Sequence, residues 1–263
     1  MNIQKKSAFV SEASTSREPC GSTARRVKDI APGASGSEPR ELVHGKETLF
    51  FTADDGTTGR ELWRSSGESR KTVRVKDIRP GGAGSEPRFL TLWNGVLYFS
   101  ADDGVHGREL WRSDGTAKGT WMVADLRPSE ASSEPEDLVV FKDRLYFSAR
   151  QADGVRTLWR SDGTGPGTRI FGGDFELKFI RNGPRLVPMG DELFFVAVGA
   201  EVDSDLWKTD GTPGGFTFVF YLAEDLYFRA LVPVGDRLFT PYEEDVSGGL
   251  RVTDGTPAGT EDL

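Results

Sequence analysis

Apolar residues in this chain come in short bursts separated by Gly, Pro, Asp and Ser, never in a long stretch of helical period. The bursts repeat. "TLFFTA" (48–53), "VLYFSA" (96–101), "RLYFSA" (144–149), "ELFFVA" (192–197) and "RLFTPY" (237–242) are each followed by a Gly- and Asp-containing loop. After the first four loops come "ELWRSS", "ELWRSD", "TLWRSD" and "DLWKTD", with Trp63, Trp111, Trp159 and Trp207 spaced 48 residues apart. Runs of this length, rich in aromatic and branched residues and bounded by turn residues, predict β-strands. Neighbours such as Leu110 and Trp111 point to opposite sides of a strand, so these strands are apolar on both faces.

A fixed period of this size is the mark of a repeat architecture. The first three units start at "VKDI" (Val27–Ile30, Val75–Ile78) or its relative "VADL" (Val123–Leu126), and the fourth has "FGGDF" (Phe171–Phe175) in its place. A unit then passes through a Gly/Pro loop such as "RPGGAGSEP" (79–87), a short apolar run, a tight turn such as Asn94-Gly95, the aromatic burst, an "ADDGxxG" loop and the "ELWRSDGT" run. An Asn-Gly pair between apolar runs is a strong hairpin signal. Four strands in about 45 residues is the size of a propeller blade. The expected fold is therefore all-β, a β-propeller of about five four-stranded antiparallel blades. The blades are expected at about 25–68, 73–116, 121–164, 169–212 and 216–256, in one domain spanning 25–263, after a disordered polar tail over 1–24. In this order each blade is complete, and the ring is either monomeric or a small homo-oligomer.

The lines "ELWRSDGT" (109–116), "ELWRSSGE" (61–68) and "LRVTDGT" (250–256) resemble the bacterial ELWxxDGT repeat family over about residues 25–256. The resemblance implies a propeller and an extracellular or cell-envelope location, while giving little on biochemical activity. In size and layout the chain is also similar to five-bladed tachylectin-type lectins.

Composition narrows the function classes. Among 263 residues, 37% are hydrophobic, Gly numbers 32 and Pro 14, which suits short strands and many turns. A net charge of −8 argues against a nucleic-acid surface, which needs a basic patch. Cys20 is the single cysteine, so no internal disulfide forms. No apolar run approaches the roughly 18 residues of a membrane span. The segment "MNIQKKSAFVSEASTSREPC" has Lys5 and Lys6 but no apolar run after them, so it reads as neither an export signal nor a lipoprotein box.

An up-and-down strand order collects the Gly/Pro loops and the ADDGxxG loops at one end of the sheets, and the Asn-Gly and SDGT turns at the other. The first end is acidic in every unit: Asp54 and Asp55, Asp102 and Asp103, Asp153, Glu201 and Asp203, then Glu243, Glu244 and Asp245. Two readings follow. Either these carboxylates bind a ligand, with Ca²⁺ a possible cofactor at Asp54, Asp55, Asp102 and Asp103, or Asp-Gly simply builds solvated turns. The periodic tryptophans fit the core between blades better than sugar-stacking platforms. Trp93 and Trp121, outside the period, are the better ligand candidates. Asp29, Asp77 and Asp125, inside otherwise apolar segments, need partners, and Arg64, Arg112 and Arg160 recur at the same period.

Catalytic signals are sparse. His44 and His106 are the two histidines, with no companion at metal-ligand spacing, and GxSxG, P-loop and strand-to-helix GxGxxG patterns are missing. The expected function is a non-enzymatic binding module recognising a glycan or a surface protein on a loop face, with no catalytic residues assigned. Two alternatives stay open: a carboxylate-based hydrolase or lyase on the same scaffold, and a purely structural repeat module.

Overall fold

The computed structural model describes residues 24–33, 36–128, 131–172, 176–177, 186–198, 204–221, 227–228, 230–243 and 248–263. The tail expected over 1–24 lies almost entirely outside them. The described residues form strands joined by turns, with one 3-10 turn at Ser69–Lys71. None forms a helix long and apolar enough to cross a membrane. The chain divides into two compact units, Met1–Ser132 and Ser133–Leu263.

The first unit holds two four-stranded antiparallel sheets. One runs β1 (Arg40–His44), β2 (Leu49–Asp54), β3 (Arg60–Ser65) and β4 (Val73–Arg74). The next runs β5 (Arg88–Trp93), β6 (Val96–Asp102), β7 (Arg108–Ser113) and β8 (Trp121–Ala124). The two sheets share the same strand register: Phe51 faces Trp63 across β2–β3, and Phe99 faces Trp111 across β6–β7. Each first strand carries a β-bulge, between Arg40 and Val43 and between Arg88 and Thr91. Between the sheets lies a core of Phe50, Leu62, Leu90, Leu97, Phe99 and Trp111, capped by Val75 and Ile78. Leu110 and Trp111 are both buried, so this strand is covered on both faces as its sequence predicts.

The second unit holds three sheets. The first is β9 (Glu136–Phe141), β10 (Arg144–Arg150), β11 (Arg156–Ser161) and β12 (Arg169–Ile170). In the second, β13 (Glu176–Leu177) and β14 (Leu186–Met189) both pair with β15 (Glu192–Val198), followed by β16 (Ser204–Thr209) and β17 (Phe216–Tyr221). In the third, β18 (Tyr227–Phe228) and β19 (Val232–Val234) both pair with β20 (Arg237–Glu243), followed by β21 (Gly248–Thr253) and β22 (Thr260–Asp262). β13 sits opposite the end of β15 and β14 opposite its start. Two short pieces thus fill the place of one first strand, so all five sheets have four strand positions. The Phe–Trp register persists at Phe147–Trp159 and Phe195–Trp207.

The phase of the sheets differs from the sequence-based blade limits. The sheets span 40–74, 88–124, 136–170, 176–221 and 227–262. Each of the first four takes its last strand from the start of the following sequence unit. The reason is local. The SDGT segment is a hairpin turn whose Asp114 accepts hydrogen bonds from Thr116 N–H (2.8 Å) and Thr116 O–H (2.7 Å), so the strands on either side of it pair with each other. The Gly/Pro loop is then the passage from one sheet to the next. "VKDI" follows the short fourth strand: Val75 N–H donates to Leu62 O at 2.8 Å, and Lys76 Nζ donates to Thr120 O at 2.8 Å while lying over the Trp111 ring. The earliest copy makes the same lysine contact. Lys28 donates to Thr72 O (2.7 Å) over Trp63, and Ile30 packs on Phe51 and Trp63.

Candidate functional site

The strand order places the ADDGxxG loops beside the Gly/Pro loops, as expected. Asp54 N–H donates to Ser37 O and Asp102 N–H to Ser85 O, both at 3.0 Å. Gly59 packs directly on Gly82–Gly84. In the second unit Arg150 N–H donates to Ser133 O at 2.7 Å.

The acidic side chains of this end are largely engaged within their own loops. Asp54 accepts Gly56 N–H at 2.7 Å. Asp55 accepts the N–H groups of Thr57 (2.9 Å) and Thr58 (2.8 Å) and both hydroxyls, with Arg74 3.5 Å away. Asp102 accepts Gly104 N–H (2.7 Å) and pairs with Arg79 at 2.8 Å. Asp103 accepts the N–H groups of Val105 (2.9 Å) and His106 (2.8 Å) and contacts His106 Nδ1 at 2.7 Å. Asp153 accepts Val155 N–H at 2.8 Å. Glu201, Asp203, Glu244 and Asp245 lie outside the described residues, and Glu243 is described only as the end of β20. Among the described residues no group of three or more His, Cys, Asp or Glu side chains is gathered to hold a metal ion.

These contacts shift titrations. Burial pushes the Asp55 carboxyl up, but the hydrogen bonds from Thr58 and Thr57 outweigh it and hold its pKa at about 2. A depressed carboxylate stabilises the fold above its unfolded value of 3.8, and that contribution fades as pH falls through about 2. Asp55→Asn is therefore expected to lower the urea midpoint at neutral pH. Its deficit against wild type is expected to shrink as the pH is taken from 3.8 to about 2. A deficit independent of pH in that window would refute the assignment. His106 is half-exposed, and its hydrogen bond to Asp103 raises its pKa above 6.5.

The tryptophans separate by environment. Trp63, Trp111 and Trp159 are buried, and the indole N–H groups of Trp63 and Trp159 donate to Ala53 O and Ala149 O at 3.2 Å. Trp93 is also buried, against Tyr98. Trp121 is 41% exposed and carries the Arg112 guanidinium on its ring at 5.0 Å. Of the two non-periodic tryptophans, only Trp121 reaches solvent.

The acidic residues of "VKDI" find different partners from those the period suggests. Asp29 pairs with Arg26 at 2.9 Å and Asp77 with Arg74 at 3.6 Å, three residues upstream in each case. Arg112 and Arg160 instead lie over Trp121 and Phe171. The correction has a geometric cause: the "LWR" arginine points toward the SDGT end, away from the segment that follows the fourth strand.

Sequence reasoning missed a second periodic set. Glu61 and Glu109 are fully buried. Glu61 accepts Ser85 O–H (2.6 Å), Ser85 N–H (3.0 Å) and Arg79 N–H (3.2 Å), and Glu109 accepts Leu126 N–H at 3.0 Å. Burial raises the Glu61 pKa above 4.5 against the pull of these bonds. The preceding arginines hold the "SEP" glutamates by their carbonyls: Arg60 to Glu38 O (2.7 Å), Arg108 to Glu86 O (2.8 Å), Arg156 to Glu134 O (2.9 Å). Those glutamates have φ of 40°, 47° and 51°, backbone that needs such a tie. The signal available in sequence was an Arg-Glu pair opening a strand that is otherwise buried on both faces.

With this arrangement established, solved structures of similar shape can be compared. A puromycin hydrolase variant complexed with PGG aligns with a TM-score of 0.59 at 16% identity, over 93% of this chain and 40% of that one. A prolyl endopeptidase, from work on inter-domain dynamics in catalysis and specificity, aligns at 0.57 and 17% identity, over 94% and 37%. A Mycobacterium tuberculosis puromycin-hydrolyzing peptidase aligns at 0.56 and 9% identity, over 82% and 36%. The fold is a β-propeller. This chain spans about 40% of the length of the puromycin hydrolase it resembles. No protein-family model matches the sequence, and no curated protein matches it. The neighbours correct the expectation of a non-enzymatic module for glycans or surface proteins, because they are a hydrolase and peptidases.

Proposed function

We propose that this chain is a propeller of hydrolase type: it receives a peptide-like amide substrate beside bond-breaking groups that lie outside the span it shares with its neighbours. The observation that carries this reading is the asymmetry of coverage, 93% of this chain against 40% of the puromycin hydrolase. The described residues support the division of labour. Their histidine–carboxylate pair, His106–Asp103, has both Asp103 oxygens engaged within its own loop. The acidic loop end favours approach of a substrate carrying a positive charge.

Calorimetry of the 263-residue protein with puromycin and short peptidyl amides, alongside product analysis, tests the reading. Saturable binding without turnover is expected. Absence of amide binding together with saturable glycan binding would sink it. Turnover by this chain alone would overturn the division of labour.

A further inference from the structure

One turn in the first unit departs from the rule that the others obey. Two SDGT and two TDGT turns carry Asp114, Asp162, Asp210 and Asp254, each accepting the N–H of the Thr two residues on at 2.8–3.0 Å. Five residues after each Asp stands a glycine: Gly119, Gly167, Gly215 and Gly259. A Cβ at any of them would collide with that carboxylate. The first repeat instead reads "SSGESRKT". Ser66 stands in place of the Asp and Lys71 in place of the Gly, and the segment winds into the 3-10 turn Ser69–Lys71. Removing the carboxylate makes room for the lysine side chain, and the acidic turn becomes a basic one.

A second substitution acts on the same spot. The "LWR" cation has a cover or partner in the next three repeats. Arg112 lies over Trp121 at 5.0 Å, Arg160 over Phe171 at 4.5 Å with a bond to Gly211 O, and Lys208 pairs with Glu192 at 2.8 Å. In the first repeat Val73 faces Arg64 across the strands where Trp121 faces Arg112. Among the described residues Arg64 has no carboxylate or aromatic partner. These changes leave a cavity of about 360 Å³ lined by Arg64, Arg70, Lys71, Ser66, Thr48 and Glu47, with Ser65 and Val73 behind. Lys71 is held by Glu68 at 2.7 Å, while Arg70, like Arg64, has no carboxylate partner among the described residues.

We propose that this cavity is a binding site for a small oxyanion, a carboxylate or phosphate group, held by Arg64 and Arg70 with Lys71 beside them. Two guanidinium groups without a carboxylate partner among the described residues, the half-buried Arg64 with Nη1 beside Gly115 and the exposed Arg70, suit oxyanion recognition with hydroxyls nearby, and the volume admits a small molecule. The site lies at the SDGT end, opposite the acidic loops, and does not depend on the hydrolase reading. Glu47 opposes an anion at the rim, so its neutralisation strengthens binding.

The test is calorimetry of the full chain with inorganic phosphate and with succinate at constant ionic strength. Saturable binding of either is expected; phosphate alone assigns a phosphate ligand, succinate alone a carboxylate. Arg64→Ala is expected to weaken binding about tenfold, the scale of one charged hydrogen bond, and Glu47→Gln to tighten it. The triple change Ser66→Asp, Glu68→Thr, Lys71→Gly rebuilds the ordinary turn, so it folds as the other repeats do, and it is expected to abolish binding. No saturable binding of either probe, or unchanged binding in the rebuilt turn, overturns the proposal.

Discussion

Gly84→Ala is expected to unfold most of the first unit under conditions where wild type is stable. Gly84 has φ of +70°, and a Cβ there would collide with Arg60 N while lying 2.8 Å from Arg60 O and 2.9 Å from Gly59 C. These are backbone atoms of a buried strand, which cannot yield as a flexible side chain does. The left-handed backbone alone costs about 1–2 kcal/mol for alanine. With the collision, the loss is expected to reach about 4 kcal/mol or more, a large part of the stability of a typical domain. Gly56→Ala is the control. It shares positive φ (+79°) but meets no atom within 4 Å, so it is expected to lose only about 1–2 kcal/mol. Urea unfolding followed by tryptophan fluorescence compares the two. Equal midpoints would show that the packing of the ADDGxxG loop on the Gly/Pro loop is not close.

The second large effect is expected at Glu61. Its carboxylate joins one sheet to the passage into the next through Ser85 and Arg79. Glu61→Ala strands the Ser85 N–H and O–H, in a residue with no exposed surface, along with the Arg79 N–H. A buried donor left unsatisfied costs about 1–3 kcal/mol. The sum is expected near 4 kcal/mol, which for a chain of this size lowers the melting temperature by roughly 8–16 °C. Glu61→Gln keeps the acceptor and loses the buried charge. Burial raises the Glu61 pKa above 4.5, so the folded state holds its proton to higher pH than the unfolded chain does. Its contribution therefore weakens as pH rises above 4.5. Glu61→Gln is accordingly expected to gain on wild type between that pH and neutrality. Calorimetric melting of both variants across this range is the measurement, and a Glu61→Ala protein melting within about 2 °C of wild type would refute the tie.

The Glu61 tie also marks the limit of reading by pattern. A glutamate beside Leu62 in "RELWRS" is one more charged residue until the fold shows that both faces of its strand are covered. The same holds for the acidic loops. Their acidity is plain in sequence, but whether Asp55 faces a ligand or its own backbone depends on where Thr57 and Thr58 place their N–H groups. Asp77 shows the opposite error: equal period suggested Arg112 or its relatives, yet Arg74, three residues away on the same stretch of chain, is the partner. Period reports equivalence between repeats; it does not report proximity.

The sequence by itself determined that the chain is all-β, built from a repeated meander in which a Phe-rich strand faces a Trp-bearing strand. Alternation of side chains, turn residues and a constant step are local properties, and local properties are written in order along the chain. Only the tertiary structure decided where each sheet begins and ends, which buried charges tie neighbouring sheets, and that one basic turn lines a cavity. Those outcomes depend on which groups meet across sequence separations of 17 to 24 residues. Such meetings are set by packing and by the cost of leaving a buried polar group unpaired, neither of which leaves a mark at fixed spacing.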